Sequence, residues 1–147
     1  MLQLDDRLGF YDSGKQTHPT CGGNLHWKQS EKNDAQVIQR IHHGHGSIKR
    51  RSLFKQSSRL PIQIEIWELD EGVSEGDHIH GAPRALEEVY YVLGGAGEMT
   101  IDGNKVSVNR NDSIMVPSGT EHGIKNTGNS PLKIMVIWGT EVGEYET

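Results

Sequence analysis

One cysteine, two phenylalanines and five prolines are all that 147 residues contain of these types. The lone Cys21 cannot form a disulfide within the chain, which excludes a disulfide-stapled scaffold and fits a reducing compartment. No stretch approaches the roughly 18 consecutive apolar residues of a membrane span. Residues 1–14 have neither the basic start nor the apolar centre of a signal peptide. A soluble, cytoplasmic chain with no membrane partner is therefore expected. Positive charge is also scarce: 15 Lys and Arg stand against 20 Asp and Glu, a formal net charge of −5. The one basic cluster, Lys49-Arg50-Arg51, is too short to suggest nucleic acid as a partner. Strong branched and aromatic apolar residues are few. Leu, Ile, Val and Phe number 33, about 22%, just clear of compositions that stay disordered. Long 3.6-residue periodicity is missing as well.

What the chain does have is 18 glycines and short apolar packets at regular spacing. The packets are Ile62–Leu69, Val89–Leu93, Met99–Ile101, Val106–Val108, Ile114–Val116 and Leu132–Trp138. Turn-forming stretches separate them, among them Gly94-Gly95-Ala96-Gly97 and Asn109–Asp112. Strands of this length every 8–12 residues imply an all-β sandwich or barrel. Asp102-Gly103 between two packets predicts a tight hairpin, because both residues accept positive φ. In Ile62–Leu69, Ile62, Ile64 and Ile66 share one face and Gln63 and Glu65 the other. Trp67, opposite the isoleucines, then lines a pocket, an intersheet space or a subunit contact. The one helix candidate is Asp34–His42, preceded by Ser30-x-x-Asn33. Residues 1–40 are expected as an irregular N-terminal arm, and residues 41–147 as one domain, entered by a strand or two within His42–Phe54.

His78-Ile79-His80 is the first candidate for chemistry. On a strand, residues i and i+2 face the same way, so the two imidazoles can converge on one ion. The strand around Glu87-Glu88 can add a carboxylate and His122 a third imidazole. Strand alternation lets only one of Glu87 and Glu88 face inward; with Glu88 inward, Tyr90 and Val92 share its face. Isolated histidines are usually surface or hydrogen-bonded residues, so His-x-His alone does not make a site.

The stretch Gly72-Val-Ser-Glu-Gly-Asp-His78-Ile-His80, with Glu88 and then Gly95, resembles the first cupin motif. Asn111-x5-Pro117-x-Gly119-x2-His122-x3-Asn126 resembles the second, with 15 residues between Gly95 and Asn111, the spacer of a small single-domain member. Two features depart from the pattern: seven residues separate His80 from Glu88, and Asn111 stands where glycine is usual. The longer spacing implies a bulge around Gly81–Leu86, where Pro83 cannot donate to a ladder. Asn111 still tolerates the left-handed region.

The resemblance implies a jelly-roll barrel, the cupin double-stranded β-helix, and a metal centre of His78, His80, Glu88 and His122. Such donors suit a divalent transition metal, Fe, Mn, Ni, Co or Zn. It further implies an enzyme of oxygenase (dioxygenase) or lyase/isomerase type, acting on a small polar, carboxylate-bearing metabolite. A non-catalytic binding protein, or one with a structural metal, is the alternative. Tyr90 is a candidate acid/base or substrate-orienting residue, against the plainer role of filling the interior. Arg84 is a candidate clamp for a substrate carboxylate, against that of a solvated loop arginine. His42-His43-Gly44-His45 and His18-x-x-Cys21 lack zinc-finger spacing, and the former reads as a turn leading into a strand. A chain with so thin an apolar content has reason to share surface, and a homodimer is expected.

Overall fold

Nine short strands carry the fold in the computed structural model, which describes residues 27–140. Most of the expected N-terminal arm, with His18 and Cys21, lies outside the described residues. A one-turn helix α1 (Glu31–Asp34) and strand β1 (Gln36–Gln39) lead to a 3-10 turn at Ile41–His43. Strands β2 (Ser47–Ser52), β3 (Gln63–Leu69), β4 (Glu87–Gly94), β5 (Ala96–Ile101) and β6 (Asn104–Asn109) follow. The chain then adds β7 (Ser113–Val116), β8 (His122–Asn126) and β9 (Leu132–Gly139).

The strands form two antiparallel sheets, one of six strands in the order β1-β2-β3-β9-β4-β7 and one of three, β6-β5-β8. The core lies between them. Ile48, Trp67, Leu69, Tyr90, Val92, Ile134 and Val136 come from the large sheet and Met99, Val108 and Ile124 from the small one. Trp67 thus faces the intersheet space, and so do its alternation partners Glu65 and Leu69. At about 25 cal/mol per Å² of apolar area removed from water, these side chains are the main stabilising contribution.

The expected barrel is not formed, because neither sheet closes on itself. Strands β1 and β7 end the large sheet and β6 and β8 the small one. Residues 72–78 run beside β8 but make only the isolated bridges Ser74↔Lys125 and His78↔His122. Glu75 N–H still donates to Ile124 O on β8 (2.9 Å), while the next amide, Gly76 N–H, points the other way and donates to Ile41 O (3.1 Å). His78 and His80 therefore sit on an extended segment rather than on a full strand.

The helix expected over Asp34–His42 is also corrected. Gln36–Gln39 pairs with Ser47–Arg50, and Arg40 adopts the left-handed conformation (φ 49°, ψ 51°), which ends any helix there. Pairing across the sheet outweighs weak local helix propensity. The Asp102-Gly103 hairpin forms as expected, with φ of 46° and 75° joining β5 to β6.

Candidate metal centre

Four side chains from three segments meet at one end of the intersheet space. Glu88 projects inward from β4, its register opposite Val116 on β7 and Trp138 on β9. His122 opens β8, and its backbone exchanges two hydrogen bonds of 2.9 Å with His78, which brings the imidazole-bearing segment 78–80 alongside. The carbonyl of His80 accepts from Ser118 Oγ (3.0 Å) and from the Gly119 N–H (2.8 Å), so the turn after Pro117 holds that end. One ligand-capable atom from each of His78, His80, Glu88 and His122 lies within 4.8 Å of all the others. Glu87 is exposed, as alternation along β4 requires.

The hydrogen bonds behind the rings decide which nitrogens face the centre. Nδ1 of His78 donates to Gly76 O (3.0 Å) and Nδ1 of His122 to Thr120 O (2.9 Å). Carbonyls placed in this way fix the ring orientation and leave Nε2 pointing inward, the arrangement usual behind metal-ligating histidines. Nε2 of His78 lies 3.0 Å from Nε2 of His80, and Nε2 of His122 lies 2.6 Å from Glu88 Oε2. Burial, reinforced by neighbouring imidazoles, pulls His78 down to about 4, so this ring is neutral at neutral pH. Burial also lowers His122, but hydrogen bonds to Glu88 and Thr120 outweigh it and raise the ring's pKa overall. For Glu88, burial raises the carboxyl, yet His122 and His80 bring it below its ordinary value. A cation at this point would displace the proton held between His122 and Glu88. Three imidazole nitrogens and one carboxylate fit a divalent first-row transition metal better than the all-oxygen sets of Ca²⁺ or Mg²⁺.

Tyr90 lies on the same inward face and is almost wholly buried. Its hydroxyl sits between Glu88 Oε2 (3.1 Å) and Glu75 Oε2 (3.3 Å). Burial and the two carboxylates push its pKa well up, so the phenol keeps its proton. Arg84 sits in the 81–86 segment with its guanidinium 5.4 Å from the centre of the Trp138 ring. Its charge adds to the lowering of His80, after the larger effects of burial and of His122. His80 keeps 16% of its side chain exposed against 2% for His122, so solvent reaches the cluster from the His80 side.

Two buried acids escaped the sequence reading. Glu75 is held under the cluster, with Oε1 3.7 Å from Nε2 of both His78 and His42, and burial raises its pKa well above the ordinary value. Nothing in Gly72–Asp77 distinguishes it from a solvated turn residue; only the bridges to β8 turn it inward. Glu65 accepts from Trp67 Nε1 (2.8 Å) and Ser52 Oγ (3.1 Å). Glu-x-Trp on a strand is a same-face pair and was the available signal. His42 stacks on His78, while His43 and His45 line a groove of about 710 Å³ that touches none of the four converging residues. The His42–Gly46 stretch is the expected turn into β2.

Residues 65–138 match the family described as Cupin domain. An uncharacterized protein of Methanocaldococcus jannaschii is 51% identical over 49 residues, 33% of this chain and 39% of that one. The oxalate-binding protein of Thermotoga maritima is 35% identical over 69 residues, 47% of this chain and 54% of its own. The chain thus spans only part of the curated relatives it matches. Among solved structures, a predicted oxalate decarboxylase of Thermotoga maritima superposes with a TM-score of 0.69 at 25% identity, covering 76% of this chain and 97% of the other.

Proposed function

The chain belongs to the cupin family, and on that premise we propose that it is a metal-dependent enzyme acting on a small carboxylate-bearing metabolite. The observation that carries this reading is the inward convergence of three imidazoles and Glu88, with Nδ1 of His78 and of His122 tied to carbonyls. His78, His80, Glu88 and His122 would hold the ion. Bound there, a divalent transition metal would polarise a carbonyl or carboxylate oxygen and lower the pKa of bound water.

The chain's own groups supply the rest. Arg84, at the solvent-reached side beside His80, offers a planar fork of donors for a substrate carboxylate. Tyr90 keeps its proton and donates to Glu88, which fixes that carboxylate rather than removing a proton from substrate. The buried surroundings strengthen each of these contacts by lowering the local dielectric. The Thermotoga maritima matches, a curated protein named for oxalate binding and a solved structure named for predicted oxalate decarboxylation, favour a small carboxylate as ligand and lyase chemistry over oxygenation. The name of the first also favours a second reading, a carboxylate-binding protein without turnover.

Metal-loaded protein titrated with oxalate in a calorimeter, with carbon dioxide release followed in parallel, separates these. Binding with release supports the enzyme. Binding without release supports the binding protein. Absence of binding to the metal-loaded chain, with wild-type Arg84 in place, overturns both.

A further inference from the structure

His42 belongs to none of the motifs that define the four-residue cluster, yet the chain goes to unusual lengths to place it. Three residues of its turn, Arg40, His42 and His43, have positive φ of 49°, 48° and 64°. Such backbone is uncommon outside glycine and strained, so the surroundings must hold it. They do. Arg40 N–H donates to Gly46 O (2.9 Å) and Gly44 N–H to Ile41 O (2.9 Å), which closes the turn. Gly76 N–H donates to Ile41 O (3.1 Å) and Ser74 N–H to His45 O (2.9 Å), which ties the turn to the segment carrying His78. Side chains at Gly44 or Gly76 would run into the backbone oxygens of Ser74 and His42, so the two segments meet at glycine.

The result of this clamping is a parallel stack. The His42 and His78 rings lie 3.7 Å apart at 5°. An ion lies in the plane of each imidazole that ligates it. Two parallel planes do not meet, so His42 and His78 in this arrangement cannot share one ion, although with Glu75 they form a second compact donor group. The stack has another consequence: it blocks rotation of the His78 ring from one face, while the bond from Nδ1 to Gly76 O restrains it from behind.

We propose that His42 is a positioning residue of the centre, setting the ring plane of His78 by stacking so that Nε2 faces Glu88, His80 and His122. This rests on the reading of those four residues as a metal centre. The ring, not its nitrogen, is what acts.

The test is cobalt(II) titration of the full chain, read both as affinity and as the visible absorption of the bound ion. His42→Asn removes the ring and keeps a residue that tolerates positive φ; His42→Phe keeps a ring without nitrogen. Any strain from Phe at this φ shows separately, as a lower melting temperature. The expected result is a loss of affinity of about 10- to 100-fold in His42→Asn, the range for removing a partner behind a ligand. The absorption changes with it, and His42→Phe restores both. Wild-type affinity and spectrum in His42→Asn would overturn the proposal. Equal impairment of the two variants would also overturn it, by assigning the effect to the nitrogen. No cobalt bound by the wild type would instead remove the four-residue reading on which the proposal rests.

Discussion

Tyr90 joins two buried carboxylates through one hydroxyl, and that makes its oxygen unusually exposed to test. If it only filled the interior, Tyr90→Phe would cost little, since the ring is kept. Because the hydroxyl sits between Glu88 Oε2 (3.1 Å) and Glu75 Oε2 (3.3 Å) and its one proton goes to one of them, its loss leaves a buried carboxyl oxygen short of a partner. We expect Tyr90→Phe to destabilise the protein by about 1–3 kcal/mol, seen as a lower urea midpoint. An unchanged midpoint would return Tyr90 to the role of space-filling. That only one of Glu87 and Glu88 faces inward follows from alternation along one strand, and the structure places Glu88 2.6 Å from His122 while Glu87 faces out. Glu75 had no comparable signal, because two of its partners, Tyr90 and His42, lie 15 residues ahead and 33 behind on other segments, and only His78 is near in sequence. Its burial is a product of chain pairing, not of local pattern.

The short helix α1 is attached through charge rather than packing, since none of its residues is buried. Glu31 reaches Lys133 on β9 (2.8 Å) and Lys49 on β2 (3.3 Å). These hydrogen bonds, Lys133 first, hold its pKa below the ordinary 4.5. A lowered carboxyl pKa adds stability that is present above the unfolded value and is lost as pH falls through the folded one. For an exposed pair the amount is under about 1 kcal/mol and is screened by salt. Glu31→Gln should therefore lower the urea midpoint slightly at pH 7 and low salt. The difference should vanish in high salt or once the pH is below the lowered value; a difference that persisted there would assign another role to Glu31. Strands β3, β4, β5, β6, β7 and β9 were legible as apolar packets between turns, and the β5–β6 hairpin from Asp102-Gly103. Strand β1 was not. Val37, Ile38 and Ile41 have helix-like spacing, and only pairing with β2 and the left-handed Arg40 reveal the strand. In β3 both faces carry apolar or aromatic residues, so alternation alone could not say whether the isoleucines or Trp67 faced the core.

That two-sidedness extends across the large sheet and bears on assembly. Opposite the core, the register aligns Ile66 with Met135, Met135 with Tyr91, and Val89 with both Ile137 and Met115. Met115 and Tyr91 are exposed there. A sheet face that meets water usually reads polar, so an apolar one calls for cover. A second copy of the chain is the occupant we propose, because a symmetric pair can bury the same patch on both subunits. Sedimentation should give about twice 16.4 kDa, falling to the monomer value in Met115→Lys; a wild-type monomer at micromolar concentration would remove the idea. Strand spacing allowed a sandwich or a barrel and could not choose between them; the open two-sheet layout is set by which strands pair. Residues 72–78 meet β8 only at the bridges Ser74↔Lys125 and His78↔His122, a pairing between segments far apart in the chain.

The centre of the molecule's proposed chemistry is the space between His78, His80, Glu88 and His122. Anomalous diffraction at the cobalt edge, from crystals of the cobalt(II)-loaded chain, locates the ion directly. One peak per chain is expected, about 2.1 Å from the three Nε2 atoms, with the Glu88 carboxylate as the fourth donor. A peak held instead by His42 and Glu75, or by surface residues alone, would contradict that assignment.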